Sequence, residues 1–257
     1  MPRTASVNYH VRKSERQAFE IDAGGVVGEM VSPELAPTEI QVSDERAGAS
    51  VAFASDGVAF LHAPSRVASF AGEGWRETYD AELTALLKAE LGVRKVVIFD
   101  HTVRIDDPDS DRKPARNVHG DYSPEGAETR LADILGEDLA AEWREGRYGF
   151  INVWRPVEAP INSAPLGFVR PASVPPEDWI EIDLIFPDRR GRIMGLAANP
   201  RHDWLYRSRM TPDEAAVFNI YDSGGLPSVA HSALDMVEDP DVTAVRKSIE
   251  SRTLVRY

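Results

Sequence analysis

Short apolar runs bounded by proline or glycine recur along the chain and predict a protein built mainly of β-strands. The segments RKVVIFDHTVRI, RYGFINVWRPV and WIEIDLIFP are rich in β-branched and aromatic residues, so each predicts a strand. The closing segment RKSIESRTLVRY alternates well enough to predict a last strand. In VAFASDGVAFLHA, the pair Asp56-Gly57 separates two apolar runs, a pattern that predicts a β-hairpin.

Helical periodicity is confined to a few segments. Residues 75–92 place tyrosine and leucine side chains on one stripe and end at a glycine, which predicts a helix. Ser123 followed by Pro124 is typical of an N-cap and a first helical residue. Thr211 and Glu214 have the spacing of a capping box, which is a signal for the start of a helix.

Many short strands with few helices suit a mainly β fold with flanking helices around a double-stranded β-helix, the jelly-roll or cupin-like core. The length of 257 residues suits a single domain. Within it, residues 1–90 are predicted to form a β-rich and helical N-terminal elaboration, and residues 91–257 the jelly-roll core.

Composition narrows the chemistry. The chain has no cysteine, which excludes disulfides, thiol nucleophiles and cysteine-ligated metal centres, so any metal must be held by His, Asp or Glu. A formal net charge of −13 argues against a nucleic-acid partner. The sequence shows neither a signal-peptide core nor an apolar run of about 18 residues, so we expect a cytoplasmic protein without a membrane partner. Its oligomeric state stays open, with a homo-oligomer as one alternative.

The segment NVHGDYSP carries the first candidate for metal chemistry. Alternate residues of a strand point to the same face, so His119 and Asp121 are expected to converge. A third ligand must come from elsewhere in the chain, and His231, which follows a Gly-Gly loop, is the strongest candidate. The other candidates are His10, His62, His101 and His202.

Downstream of His231, the segment RKSI offers an anchor for a co-substrate. Two imidazoles and one carboxylate on one face of an iron leave positions open, as in non-heme Fe(II) oxygenases. A guanidinium suits a distal carboxylate, and Arg246 with Ser248 lies where such an anchor is needed.

Several segments together resemble one known family. They are VVIFDHTVR, VHGDYS, NVWRP, HDWLYRSRMTPDEAAVFNIYDS, HSALD and RKSIESR, in that order. They are similar to the motifs of the AsaB-type hydroxylase/desaturase family, which includes gibberellin-desaturase-like proteins and a component of cephamycin methoxylation. The similarity spans about residues 75–257.

The resemblance implies an oxygenase of secondary metabolism that uses Fe(II), 2-oxoglutarate and O₂ on a small-molecule substrate. It implies that His119, Asp121 and His231 hold the iron, and that Arg246 and Ser248 bind 2-oxoglutarate. The interval from His231 to Arg246 is longer than is usual in the wider superfamily, so Arg252 remains a rival anchor.

Other residues of these motifs have two readings each. Asn152 and Arg155 in NVWRP and Tyr206 in HDWLYRSRM are candidates for substrate binding, or else structural residues. His101 and Arg104 either support the site or cap the end of a strand. Whether the outcome is hydroxylation, desaturation or oxidative cyclisation stays open. The competing functions are a cupin-like isomerase, a zinc hydrolase and a degenerate small-molecule-binding module.

Overall fold

Two β-sheets enclose the core of the protein, and a computed structural model describes its residues 2–20, 34–72, 74–187 and 190–257. The strands are β1 Arg3–His10, β2 Gln17–Glu20, β3 Leu35–Asp44, β4 Val58–His62, β5 Lys95–Ile105, β6 His119–Gly120, β7 Tyr148–Pro156, β8 Leu166–Val169, β9 Trp179–Ile185, β10 Arg190–Leu196, β11 Trp204–Tyr206, β12 Glu214–Asp222, β13 His231–Ala233 and β14 Lys247–Arg256. The helices are α1 Phe53–Asp56, α2 Arg76–Leu91, α3 Pro124–Leu135 and α4 Glu137–Arg144.

The two sheets divide the strands unequally. The larger has nine strands in the order β1-β3-β11-β8-β13-β6-β10-β9-β2, and the smaller has five in the order β4-β12-β7-β14-β5. Alternate residues of β7 and β12 point between the sheets, where Trp154 and Phe218 pack against Phe168 of β8 in the main core. This arrangement matches the mainly β, two-sheet architecture that the sequence predicts.

The N-terminal segment contributes to both sheets. Strands β1 and β3 lie side by side at one end of the larger sheet, β2 forms its other edge, and β4 forms an edge of the smaller sheet. The predicted boundary near residue 90 stays a prediction. No helix among the described residues is long and apolar enough to cross a membrane.

Helix α2 covers the outer face of the smaller sheet. Tyr79, Leu83 and Leu87 are fully buried there and pack against outward residues of the sheet such as Val153 and Val217. Gly92 ends the helix in the left-handed conformation, with φ of 66°. The predicted helices at residues 75–92 and after Ser123 are thus confirmed, and Ser123 accepts a hydrogen bond from the Gly126 amide as an N-cap.

Because Leu83 lies behind the smaller sheet, its loss is expected to affect stability alone. We predict that Leu83→Ala lowers the free energy of unfolding by about 2–5 kcal/mol, measured by urea denaturation. The matched change Leu139→Ala, at a side chain that is 38% exposed, is expected to cost less than about 0.5 kcal/mol. Neither variant should change metal affinity. A changed metal affinity in Leu83→Ala would contradict the separation of helix α2 from the metal-binding site.

Two local predictions are wrong. The segment around Asp56-Gly57 is not a hairpin, since residues 53–56 form helix α1, which Gly57 ends at a φ of 66°. The following strand β4 pairs with β12, far along the chain. The capping-box bond does form, from the Thr211 amide to a Glu214 carboxylate oxygen at 2.9 Å. It closes a turn before strand β12 rather than a helix, because the run after Glu214 is buried on both faces of the smaller sheet.

Candidate metal centre

Strands β6 and β13 bring two histidines of the larger sheet together. They pair antiparallel with His231 directly opposite His119, and the two imidazole centroids are 4.4 Å apart. Asp121 follows the end of β6, with Oδ1 3.5 Å from His119 Nε2 and 3.8 Å from His231 Nε2. One ligand atom from each residue lies within 4.8 Å of the other two, a group of metal-binding type among the described residues.

Backbone carbonyls orient both imidazoles. His119 Nδ1 lies 2.8 Å from the Asn117 carbonyl oxygen, and His231 Nδ1 lies 3.1 Å from that of Val229. A carbonyl oxygen only accepts, so each Nδ1 carries the proton and donates it. Each Nε2 is left with its lone pair toward Asp121, which is the tautomer that a metal ligand needs.

The carboxylate of Asp121 is held through one oxygen. Its Oδ2 accepts from Asn152 Nδ2 at 2.7 Å and from Arg252 Nε at 3.4 Å, which leaves Oδ1 for the shared point between the imidazoles. Burial alone would raise the pKa of Asp121, but its hydrogen-bonding and charged neighbours, among them Arg252, hold it well below its usual value. The side chain is therefore an anion in a site where it is only 10% exposed.

The electrostatics of His231 also suit a ligand. Burial lowers the pKa of this side chain to about 4, and the neighbouring His119 adds to the effect. The imidazole is therefore neutral at physiological pH, and a neutral nitrogen is the form that coordinates a metal.

Asn152 gives a test of how the carboxylate is positioned. We predict that Asn152→Leu, which keeps the size of the side chain and removes the donor, weakens metal binding by about 10- to 100-fold. Titration with Co(II), followed through its visible absorption, measures the affinity. Asn219→Leu is the matched control, since this buried amide donates to the Leu226 and Pro227 carbonyls, in another part of the fold. Equal Co(II) affinity in Asn152→Leu and wild type would contradict the assignment.

A small cavity adjoins the two histidines, and we call it the closed cavity because it is less open to solvent than the second cavity described below. His119 and His231 line it together with Arg246, Arg104 and Glu250. Arg246 is 3% exposed, and its Nε and Nη1 atoms are buried without a hydrogen-bond partner. Burial lowers the pKa of this guanidinium to about 9, and the nearby Arg104 adds to the shift. A buried cation with unfilled donors marks a place for an anion.

Ser248 lies on the last strand, two residues after Arg246 in the chain. Its hydroxyl is also buried without a hydrogen-bond partner. Arg252, the rival anchor, is in a different situation. Its guanidinium forms ion pairs with Glu250 at 2.5 Å and with Asp100 at 2.6 Å, besides its contact with Asp121. Unfilled donors therefore belong to Arg246 and Ser248, and Arg252 is already neutralised by the protein.

A second cavity, the open cavity, is lined by Asp121 but by neither histidine of the cluster. It measures about 700 Å³ and reaches Asp121, Tyr122 and Arg252. A volume of this size is typical of a site for a small organic molecule. The metal-binding group thus borders both cavities. Its two histidines line the closed cavity, where Arg246 has unfilled donors, and Asp121 lines the open cavity, which has room for a larger ligand.

The match to known proteins agrees with this geometry. A family model described as an Oxidoreductase/YMDC permease-like domain matches residues 7–256. The hydroxylase/desaturase efuI of Hormonema carpetanum is 32% identical over 229 residues, which cover 77% of this chain and 76% of that protein. The chain belongs to the hydroxylase/desaturase family.

Other members of the family are named for their cofactors. The Fe(II)/2-oxoglutarate-dependent dioxygenase nvfI of Aspergillus novofumigatus is 27% identical over 257 residues, covering 97% of this chain and 82% of that protein. A solved structure of the iron and alpha-ketoglutarate-dependent endoperoxidase NvfI superposes with a TM-score of 0.85, at 23% identity, over 99% of this chain and 98% of that chain. The predicted jelly-roll fold is thereby confirmed.

Membership fixes the class of activity. This hydroxylase/desaturase is an Fe(II)- and 2-oxoglutarate-dependent oxygenase that uses O₂, as the sequence predicts. The predicted range of outcomes, which is hydroxylation, desaturation or oxidative cyclisation of a small molecule in secondary metabolism, is confirmed at the level of the family.

The residues predicted to bind substrate lie in three different environments. Asn152 contacts Asp121, as described above. Arg155 points to the opposite face of β7, where its guanidinium lies 5.3 Å from the Tyr79 ring centroid, behind the smaller sheet. The hydroxyl of the buried Tyr206 accepts a hydrogen bond from Arg3 at 3.4 Å, in a cluster on the outer side of the larger sheet. These contacts give no support to a substrate role for the three residues.

The two residues predicted to support the site, His101 and Arg104, lie in different places. Arg104 lines the closed cavity with Arg246. His101 lies between Ser251 and Asp80, at 2.8 Å from each, under helix α2. Sequence reasoning missed Glu250, which is 5% exposed and pairs with Arg252. The alternation of RKSIESR carries the signal, since it places residues 246, 248, 250 and 252 on one inward face.

Proposed function

We propose that His119, Asp121 and His231 hold the Fe(II) of this oxygenase, and that Arg246 with Ser248 binds the distal carboxylate of 2-oxoglutarate. The substrate enters the open cavity beside Asp121. One observation carries the proposal: the unfilled donors of Arg246 share a closed cavity with both histidines. The donor set of two neutral imidazoles and one carboxylate fits a divalent iron.

The choice of Arg246 over Arg252 rests on charge balance. A dicarboxylate gains most from a buried cation that the protein leaves unpaired, because a cation already paired must first give up its partners. Three carboxylates lie within 3.4 Å of Arg252. Arg252 thus supports Asp121, and Arg246 is the anchor.

The closed cavity has room for about one water in its present form, with a volume of about 10 Å³. Binding of 2-oxoglutarate therefore requires the lining side chains to move apart. Glu250 is the acid in this lining, and its ion pair with Arg252 keeps its charge balanced when a second anion enters.

The side chains of the cluster have separate tasks in this proposal. When bound, iron with 2-oxoglutarate supplies the activation of O₂ that the reaction requires. Asn152 and Arg252 hold one oxygen of Asp121 so that the other faces the metal. The sheets exclude bulk water around His231, which is 2% exposed. The open cavity places the substrate carbon, and this placement selects between hydroxylation, desaturation and cyclisation.

Anaerobic reconstitution tests the proposal. With Fe(II) and 2-oxoglutarate, the protein is expected to develop a weak visible absorption band that neither reagent gives alone. Admission of O₂ is then expected to release succinate. A zinc hydrolase predicts activity without O₂ and no succinate, and a binding module or isomerase predicts no succinate either. A flat spectrum from folded protein would contradict the proposed ligands.

The proposed substrate is a small molecule of secondary metabolism, as the family indicates. A cytoplasmic location, the lack of a nucleic-acid partner and the oligomeric state stay predictions.

A further inference from the structure

Three of the arginines on the walls of the open cavity are balanced by short ion pairs. Arg16 pairs with Asp183 at 2.7 Å, and Arg192 with Glu125 at 2.7 Å. Arg252 is paired as described. These guanidinium groups belong to the walls and are not available to a ligand without breaking an existing pair.

Arg130 on helix α3 is compensated much more weakly. Its contact with Asp133 is an i,i+3 pair at 3.9 Å, and the Asp133 side chain is 51% exposed. A pair of this length with an exposed carboxylate on a helix surface is a weak contact. Arg130 lines the cavity with a side chain that is only 29% exposed. Among the described residues, the guanidinium of Arg130 therefore has only this weak ion-pair partner while it lines the cavity.

The Arg130 guanidinium is also held in place before any ligand arrives. Its Cζ lies 5.1 Å from the centroid of the Phe99 ring, an arrangement in which the ring supports one face of the planar group. The Tyr122 hydroxyl interacts with the same guanidinium and lines the same cavity. A stacked guanidinium keeps its N–H edges for a ligand, and those edges match a carboxylate bidentately.

The rest of the lining combines many charged residues with a smaller set of apolar and aromatic side chains. The latter are Phe99, Tyr122, Leu184, Phe186 and Ile193. Tyr122 directly follows the proposed ligand Asp121 in the chain. An acid group at Arg130 would thus lie in the same cavity as Asp121 of the metal-binding group, where apolar side chains such as Phe99 can contact the rest of the ligand.

We propose that the substrate of this oxygenase carries a carboxylate and that Arg130 binds it. This inference rests on the proposed function, because it takes the open cavity as the substrate side of the metal. Arg130 is then a residue that determines specificity, and it takes no part in holding iron or 2-oxoglutarate.

Paired probes test the inference without knowledge of the natural substrate. 1-Naphthoate and its methyl ester share one apolar scaffold and differ in charge. Their dissociation constants are measured by NMR on protein loaded with Mn(II) and 2-oxoglutarate, which does not turn over. Wild type is expected to bind the acid at least about tenfold more tightly than the ester. Broadening by Mn(II) reports whether the probe lies near the metal.

Three variants complete the design. Arg130→Gln is expected to remove the preference for the acid and leave ester binding unchanged, and Arg130→Lys to keep part of it. Arg16→Gln, which alters a cavity arginine tied to Asp183, is the matched control and should keep the preference. Equal binding of acid and ester to wild type, binding of neither, or an unchanged preference in Arg130→Gln would overturn the inference.

Failure of the inference is distinguishable from failure of the metal site. Binding of Mn(II) is measured separately by electron paramagnetic resonance before the probes are added. Normal Mn(II) binding with no acid preference refutes the role of Arg130 alone. If wild-type protein does not bind Mn(II), the proposed metal ligands are refuted instead. The inference then loses its basis as well.

Discussion

His231→Ala is expected to weaken Fe(II) binding by about a thousandfold, roughly 4 kcal/mol, and to abolish 2-oxoglutarate turnover. The variant removes one of the three proposed ligands, whose ligand atoms lie within 4.8 Å of each other. The effect should exceed the 10- to 100-fold expected from loss of a supporting donor such as Asn152. The affinity is measured by anaerobic equilibrium dialysis against increasing concentrations of Fe(II).

His202→Ala is the matched control for this variant. His202 is also buried, but it contacts Tyr9 and Asp178 on the far side of the larger sheet. We expect this change to lower stability and to leave Fe(II) affinity unchanged. Wild-type affinity in His231→Ala, with circular dichroism showing a folded protein, would remove His231 from the site.

Arg246→Leu is expected to raise the dissociation constant for 2-oxoglutarate by at least about a hundredfold, since loss of one partner of a buried charge pair costs about 2–5 kcal/mol. The same change should not destabilise the protein without ligand, and we expect it to stabilise that form by about 1–4 kcal/mol. The reason is that Arg246 is a buried cation without a hydrogen-bonded partner for Nε and Nη1. Isothermal titration and urea unfolding measure the two effects.

The opposite signs of these two effects separate a binding residue from a structural one. A structural arginine would lose stability on replacement and leave 2-oxoglutarate binding intact, which would contradict the proposal. Replacing each of the two candidate arginines by lysine then decides which of them anchors 2-oxoglutarate. Arg246→Lys should weaken 2-oxoglutarate binding, whereas Arg252→Lys should weaken metal binding through Asp121 and leave 2-oxoglutarate affinity near that of wild type.

The metal-binding group was within reach of sequence reasoning because its signals are local. His119 and Asp121 are two residues apart at the end of a strand, and the period of a strand alone predicts their convergence. His231 could be chosen among six histidines only from its position before RKSI and from the resemblance to a family. Its place opposite His119 depends on the pairing of β6 with β13, which no local pattern encodes.

The choice between Arg246 and Arg252 could not be made from sequence. Arg252 lies within β14 and Arg246 directly precedes it. The period of two along a strand predicts the same face for both. What separates them is the position of Asp121 and Asp100, which reach Arg252 from other elements. Asn152 shows the same limit, since its inward face is predicted by alternation but its contact with Asp121 is a tertiary feature.

The wrong local predictions have a related cause. Thr211 and Glu214 satisfy a helix-start pattern, and Asp56-Gly57 satisfies a hairpin pattern. In both places, pairing with a distant strand decided the structure, since β12 lies between β4 and β7 in the smaller sheet. Burial on both faces of a central strand outweighs a capping signal of about 1 kcal/mol.

X-ray diffraction at the iron absorption edge, on crystals grown anaerobically with Fe(II) and 2-oxoglutarate, tests the central claim most directly. We predict one anomalous peak at bonding distance from His119 Nε2, Asp121 Oδ1 and His231 Nε2, with the distal carboxylate of 2-oxoglutarate on Arg246. A peak bound by any other side chains, or 2-oxoglutarate anchored at Arg252, would contradict the account.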